Sequence, residues 1–236
     1  MRYIASVSGG KDSLAMILKI LELNYPLTDV VFYDTGMEFN SIYNNINKLK
    51  SILSEKNVVL TTLKPKTDFL YDMLIKPHYT KNNELKFGYE WCGRMCRWRT
   101  TDKTQTISNY LKSFNEPYKE YIGIAYDEKE RIKDKLYPLV DLKMTEKDCL
   151  EYCYSKGFCW NENGTELYSV LDRVSCWCCW NKSIKELRNI YNKLPDTWNK
   201  LLALQSRIDK PFKDNATLFD LEKRFKQENK QLKLDL

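Results

Sequence analysis

Two familiar phosphate-loop signatures, G-x-x-x-x-G-K-[ST] and G-x-G-x-x-G, are both missing from this chain, so the usual nucleotide loops are excluded. No stretch is apolar enough to span a membrane, and no charged-then-apolar leader precedes the first strand, so a cytoplasmic protein with no membrane partner is expected. Internal repeats and low-complexity linkers are absent as well. The single histidine, His78, follows Pro77 in a basic loop, where a surface or structural role stands level with a catalytic one. What remains is a chain of 236 residues, long enough to bury a substantial core. Charged residues at 30% and hydrophobic residues at 43% place it among ordinary globular proteins. The net charge of +6 suits a polyanionic substrate and permits nucleic acid without selecting either. Eight cysteines are many for a reducing compartment, where they point to metal ligands or catalytic groups rather than disulfides.

The stretch that organises the chain is Ser6-Val7-Ser8-Gly9-Gly10-Lys11-Asp12-Ser13. Tyr3, Ile4, Ala5 and Val7 predict a buried strand, and Leu14, Ile17, Leu18 and Leu21 have helical spacing. The glycines therefore sit in a strand-to-helix turn. Without Cβ atoms they let the backbone curl round an anion, and the helix N-terminus holds its charge. Lys11 adds a point charge and Ser8 and Ser13 add hydroxyls, whereas Asp12 suits a helix cap or a metal ion.

Further on, Val30, Val31 and Phe32 predict a second strand, running into Asp34-Thr35-Gly36-Met37-Glu38-Phe39. The strand–helix–strand succession favours a parallel sheet, with ligands beyond the strands' carboxyl ends. Asp34 and Glu38 would then meet Mg²⁺ or nucleotide, or form a polar turn. Ile42 to Leu53 predicts a helix ending near Asn57, and Val58 to Leu60 a third strand; Lys64 to Phe87 shows no clear pattern. Tyr121 to Ile124 predicts another strand, leading to Asp127, Glu128 and Arg131. Tyr137 to Val140 reads as an apolar strand before a helix capped by Thr145 with Asp148. Cys149 and Cys153 on that helix, with Cys159 beyond it, read as core thiols before ligands. Ile184 to Tyr191 and the segment around Trp198, Leu201, Leu202 and Leu204 are helical, Trp198 being a core residue. Residues 218–236 form a charged helix or tail.

Two cysteine pairs stand out: Cys92-x-x-x-Cys96 among basic and aromatic residues, and Cys176-x-x-Cys179 with Cys178 inside it. Four thiolates from such pairs suit Zn²⁺ or an iron–sulfur cluster, and the wide gap between the pairs calls for a fold-built site.

The Ser-Gly-Gly-Lys-Asp-Ser loop resembles the PP-loop of the ATP pyrophosphatases, or adenine nucleotide alpha-hydrolases, which split ATP between the α and β phosphates. Asp34-Thr35-Gly36 and the Gly123-Ile124 to Arg131 segment resemble the phosphoadenylylsulfate (PAPS) reductase branch of that superfamily. The spaced cysteine pairs resemble those holding a [4Fe–4S] cluster in adenylylsulfate reductases, although there the first pair is adjacent. The local cysteine sequences are similar to those of PAPS-reductase-like proteins of bacteria and their phages. This resemblance covers Tyr3 to about Trp180. It implies nucleotide contacts from Ser8, Gly9, Gly10, Lys11, Asp12, Ser13, Asp34, Thr35, Gly36, Glu38, Gly123 and Arg131. It also implies a cluster on Cys92, Cys96, Cys176 and Cys179, with zinc as the alternative metal. In true reductases a cysteine in a C-terminal Glu-Cys-Gly-type segment attacks sulfur, and their loop is usually altered. Here the loop is intact and no cysteine follows Cys179.

The expected fold is therefore a doubly wound α/β domain over residues 1–180 with a helical extension over 181–236. The expected activity is binding of ATP or an adenylyl nucleotide and adenylylation of a substrate with pyrophosphate release, for sulfur transfer. Lys11, Asp12, Asp34 and Cys178 are the candidate catalytic groups, and Mg²⁺ the candidate ion. A tRNA or DNA acceptor and a sulfur-donor protein are the implied partners. The alternatives are a sulfonucleotide reductase and a metal-stapled nucleotide or nucleic-acid binder without turnover.

Overall fold

A computed structural model describes residues 1–92, 96 and 101–234. The basic and aromatic surroundings expected of the first cysteine pair, Gly93 to Met95 and Arg97 to Arg99, lie outside the described residues. In chain order the elements are β1 (Arg2–Val7), α1 (Lys11–Glu22), β2 (Asp29–Tyr33), α2 (Asn40–Glu55), β3 (Val59–Leu63), α3 (Phe69–Leu74), β4 (Pro77–Tyr79), β5 (Leu85–Phe87), α4 (Asp102–Lys112) and β6 (Tyr118–Tyr121). There follow α5 (Pro138–Asp141), α6 (Glu146–Ser155), β7 (Asn161–Glu162), β8 (Thr165–Glu166), α7 (Ile184–Lys193), α8 (Pro195–Gln205) and α9 (Leu218–Leu234).

The chain forms two compact units, neither of them continuous. One comprises residues 1–64 and 103–161, the other residues 65–102 and 162–236. The first unit holds a four-stranded sheet in the order β3-β2-β1-β6, parallel throughout. All five residues of β2 are buried, as suits a central strand. Val59 on β3 and Tyr118 on β6 are exposed, as suits edges. On one face Leu111 of α4 packs with Ile4 and Val31. The six residues Leu14 to Ile20 of α1, Lys19 aside, are all buried. This is the α/β fold read from the sequence, and its strand order reverses between β1 and β6. The crevice beyond the carboxyl ends of those two strands is thus the switch point where such sheets bind ligands.

Several local expectations shift. β6 runs from Tyr118 to Tyr121 and meets the expected Tyr121–Ile124 strand only at Tyr121, beyond which the Ile122 N–H donates to the Leu136 carbonyl at 3.0 Å in an isolated parallel bridge between Tyr121 and Leu136. The Tyr137–Val140 segment is helix α5 and not a strand, since Pro138 has no N–H for a ladder and suits the first helical position. The Thr145–Asp148 capping box is present on α6. The patternless stretch before Phe87 contains α3, capped by Asp68, and the antiparallel hairpin β4–β5.

The second unit takes its core from α7, α8 and α9 and from Trp91. Ser183 and Glu186 form a capping box on α7. Trp198 is 2% exposed, in contact with Tyr191 and Phe225, so the core reading of this tryptophan holds. Trp91 meets Phe212 edge-on at 4.6 Å, and its carbonyl accepts from Lys210 Nζ at 2.6 Å.

Candidate functional site

β1 delivers the loop to the switch point, and the loop's own hydroxyls shape it. Ser13 Oγ accepts the Ser8 N–H at 3.1 Å and donates to the Gly10 carbonyl at 3.0 Å. Ser8 Oγ lies 3.1 Å from Ser13 Oγ and accepts the Gly10 N–H at 3.4 Å. Gly9 has φ +78°, and a Cβ there would stand 2.7 Å from Ile42 Cγ2 of α2, so both conformation and space call for glycine. Among the described residues no side chain caps α1 at Gly10. That leaves its positive end for an anion.

Three groups far away in sequence hold this turn. Trp160 Nε1 donates to the Gly9 carbonyl at 2.9 Å. Cys153 Sγ lies 3.4 Å from the Lys11 carbonyl, and burial pushes its thiol up to about 12. Cys149 is buried too, while Cys159 is exposed, so the two helix cysteines are the core thiols the sequence indicated. Gly123, just beyond β6, brings its backbone against α1: a Cβ there would lie 2.8 Å from Ser13 Cα.

The Lys11 amine is 2.6 Å from Glu146 Oε2 and 3.4 Å from Asp12 Oδ2. Burial works to lower the Lys11 pKa, but the Glu146 and Asp12 carboxylates outweigh it and raise it above its ordinary value. Asp12 sits in the opposite balance. Burial lifts its carboxyl to about 6, against the pull of Lys11. Its Oδ1 is buried without a hydrogen-bond partner among the described residues. Glu146, the first residue of α6, is itself held by its N–H donating to Asp127 Oδ1 at 3.1 Å. Neither Glu146 nor Trp160 was singled out by sequence reasoning. The acid in the first turn of a capped helix was a weak signal for Glu146, and nothing local marked Trp160.

The remaining sequence candidates in this unit are engaged elsewhere. Asp34 Oδ1 accepts the Gly36 N–H at 2.8 Å and the Tyr43 hydroxyl at 2.9 Å. Thr35 Oγ1 donates to Glu38 Oε1 at 2.8 Å and accepts the Met37 N–H at 3.1 Å. The Asp34–Glu38 segment is thus a self-bonded turn, at the same sheet edge as the loop because β1 and β2 run parallel. Arg131 is exposed and paired with Glu128.

In the second unit Cys92, Cys96, Cys176, Cys178 and Cys179 line one cavity of about 50 Å³, together with Phe69, Met73, Trp91 and Trp180. The soft thiol donors suit an iron–sulfur cluster or zinc. Among the described residues, no three His, Cys, Asp or Glu side chains are grouped as for a metal ion. Lys182 beside them is 3% exposed, and burial lowers its pKa.

Residues 2–133 match the phosphoadenosine phosphosulfate reductase domain. The chain belongs to this family. Its PAPS reductase domain thus includes the loop, the Asp34 turn and Gly123. Two archaeal relatives from Methanocaldococcus jannaschii are similar over most of the chain. Uncharacterized protein MJ0973 is 25% identical over 217 residues, covering 86% of this chain and 47% of its own length. Uncharacterized protein MJ0066 is 21% identical over 220 residues, covering 84% of this chain and 40% of its own. The chain therefore spans less than half the length of these curated relatives. Among solved structures, the U34-tRNA thiolase NcsA from Methanococcus maripaludis with its [4Fe–4S] cluster aligns with a TM-score of 0.46 and 11% identity. The alignment covers 97% of this chain and 72% of that one. Among the described residues no helix is long and apolar enough to cross a membrane.

Proposed function

We propose that this PAPS reductase family chain binds ATP at Ser8–Ser13 and adenylylates an acceptor, releasing pyrophosphate and readying the acceptor for sulfur transfer. The observation that carries the reading is the uncapped start of α1 behind an intact glycine turn, with the charged Lys11 amine at its mouth. The acceptor oxygen attacks the α-phosphorus, the bond to the β-phosphoryl oxygen breaks, and the negative charge passes to pyrophosphate. The N–H groups of the turn and Lys11 stabilise that charge where it develops. Phosphate must win Lys11 from Glu146, so the lysine arrives at the substrate already charged. A sulfur nucleophile then displaces AMP from the activated acceptor.

Asp12, with its orphaned Oδ1, is better suited than the turn-bound Asp34 to hold Mg²⁺, which supplies charge neutralisation on the phosphates. Cys92, Cys96, Cys176 and Cys179 would hold a [4Fe–4S] cluster, which supplies electron or sulfide chemistry, and Cys178 would be the sulfur-carrying thiol. Asp34, Thr35, Gly36, Glu38 and Arg131 retain a second-contact role toward the nucleotide. Calorimetric titration with ATP tests the reading. Lys11→Ala should weaken binding by about tenfold or more, as loss of a charge-assisted contact does. Equal affinity would remove the nucleotide from this loop.

A further inference from the structure

The β4–β5 hairpin stands out because it is rigidly held yet exposes its aromatic face. At its base the N–H groups of Gly88, Tyr89 and Glu90 donate to the carbonyls of Lys76, Asp72 and Met73 at 2.9, 3.0 and 3.0 Å. Gly88 is confined there, since a Cβ would fall 2.4 Å from the Met73 carbonyl oxygen. At the tip Thr80 N–H donates to the Glu84 carbonyl at 2.9 Å and Thr80 Oγ1 accepts two further N–H groups. Pro77 pairs with Phe87 and Tyr79 with Leu85, so these four share one face of the ribbon. On it Tyr79 is 68% exposed and Phe87 64%. A two-stranded ribbon gains little by displaying large aromatic groups to water.

Charge selects the occupant. Residues 65–102 and 162–236 contain 21 Lys and Arg against 16 Asp and Glu, so this unit holds five of the six net positive charges. Lys81 in the hairpin turn is exposed and pairs with no carboxylate among the described residues, whereas Lys86, opposite His78, lies on the other face of the ribbon. Exposed rings beside an unpaired lysine, on a unit of positive net charge, match unstacked bases on a phosphate chain, because every base offers a π-face and every linkage a charge. An apolar protein partner would leave Lys81 unanswered.

We infer that the β4–β5 hairpin is a docking surface for single-stranded nucleic acid, with bases stacking on Tyr79 and Phe87 and phosphates meeting Lys81 at the turn. As the place where an acceptor docks, this rests on the adenylylation reading; as a binding surface it does not, and its test needs no turnover. Fluorescence anisotropy of the intact protein with labelled single-stranded RNA and DNA of about ten nucleotides measures it. Tyr79→Ala and Phe87→Ala should each weaken binding of at least one of the two strands roughly 5- to 100-fold. Lys81→Gln should flatten the salt dependence by about 0.7 in log–log slope, and Lys86→Gln, on the opposite face, should change it less. ATP affinity should be unchanged in all four, which separates this surface from the loop. Tyr79→Phe, which keeps the ring, should bind as the wild type and guards against a folding artefact. Wild-type protein that binds neither strand, or hairpin variants that bind both as tightly as it does, would overturn the proposal. So would a duplex bound equally well and indifferently to Tyr79→Ala. A concentration-dependent dimer dissociated by Phe87→Ala would assign the face to a second copy and overturn it too.

Discussion

Asp12→Asn should stabilise the protein at neutral pH while impairing Mg²⁺-dependent nucleotide binding. The Asp12 carboxyl titrates at about 6 in the folded chain against an ordinary 3.8, chiefly because it is buried. A group that holds its proton more tightly when folded favours folding at low pH, and that advantage is lost as pH rises through the folded pKa. A rise of about two in pKa, at about 1.4 kcal/mol for each, sets an upper bound of about 3 kcal/mol. Asparagine is isosteric and cannot ionise, so the variant lacks this penalty. Urea unfolding of both proteins from about pH 4 to about pH 7.5 isolates the effect, because the difference between them reports Asp12 alone. The variant should gain about 2–3 kcal/mol on the wild type across that range, most of it between about pH 4 and about pH 6. Mg²⁺ should tighten ATP binding to the wild type and not to Asp12→Asn. A stability difference that stays flat with pH would mean that Asp12 is not a buried charge. The assignment of the ion to its Oδ1 would then fall with it.

Glu146→Gln should tighten ATP binding roughly two- to fivefold, the scale of a part-exposed ion pair, by releasing the Lys11 amine for phosphate; weaker binding would instead make Glu146 a support for Lys11. Protein purified without oxygen should carry iron and acid-labile sulfide with visible absorbance, and Cys176→Ser should lose it. Stoichiometric zinc would select the alternative metal, whereas metal-free colourless protein would return the five cysteines to packing.

What the sequence disclosed follows the range of the interactions involved. The Ser8–Ser13 turn, α1 and the buried β2 were readable because glycine conformation and apolar periodicity act within a few residues. The capping box at Thr145 is likewise local. By contrast, Trp160 reaches Gly9 across 151 positions and Glu146 reaches Lys11 across 135, and no local pattern encodes either. Pro138 could have corrected the strand drawn through Tyr137–Val140, since it cannot donate to a ladder. The hairpin was hidden because each strand is only three residues long and mostly exposed, which leaves no apolar alternation to read. The discontinuous division into two units is also a long-range property: residues 65–102 join residues 162–236, leaving the sheet to close through β6.

The central claim is that ATP bound by the Ser8–Ser13 loop is cut between its α and β phosphates. The direct measurement is product analysis of radiolabelled ATP incubated with Mg²⁺, the protein and single-stranded RNA or DNA as acceptor. The account predicts pyrophosphate with AMP or an adenylylated acceptor, and loss of both in Lys11→Ala. Release of ADP and inorganic phosphate, or pyrophosphate formation undiminished in Lys11→Ala, would contradict it.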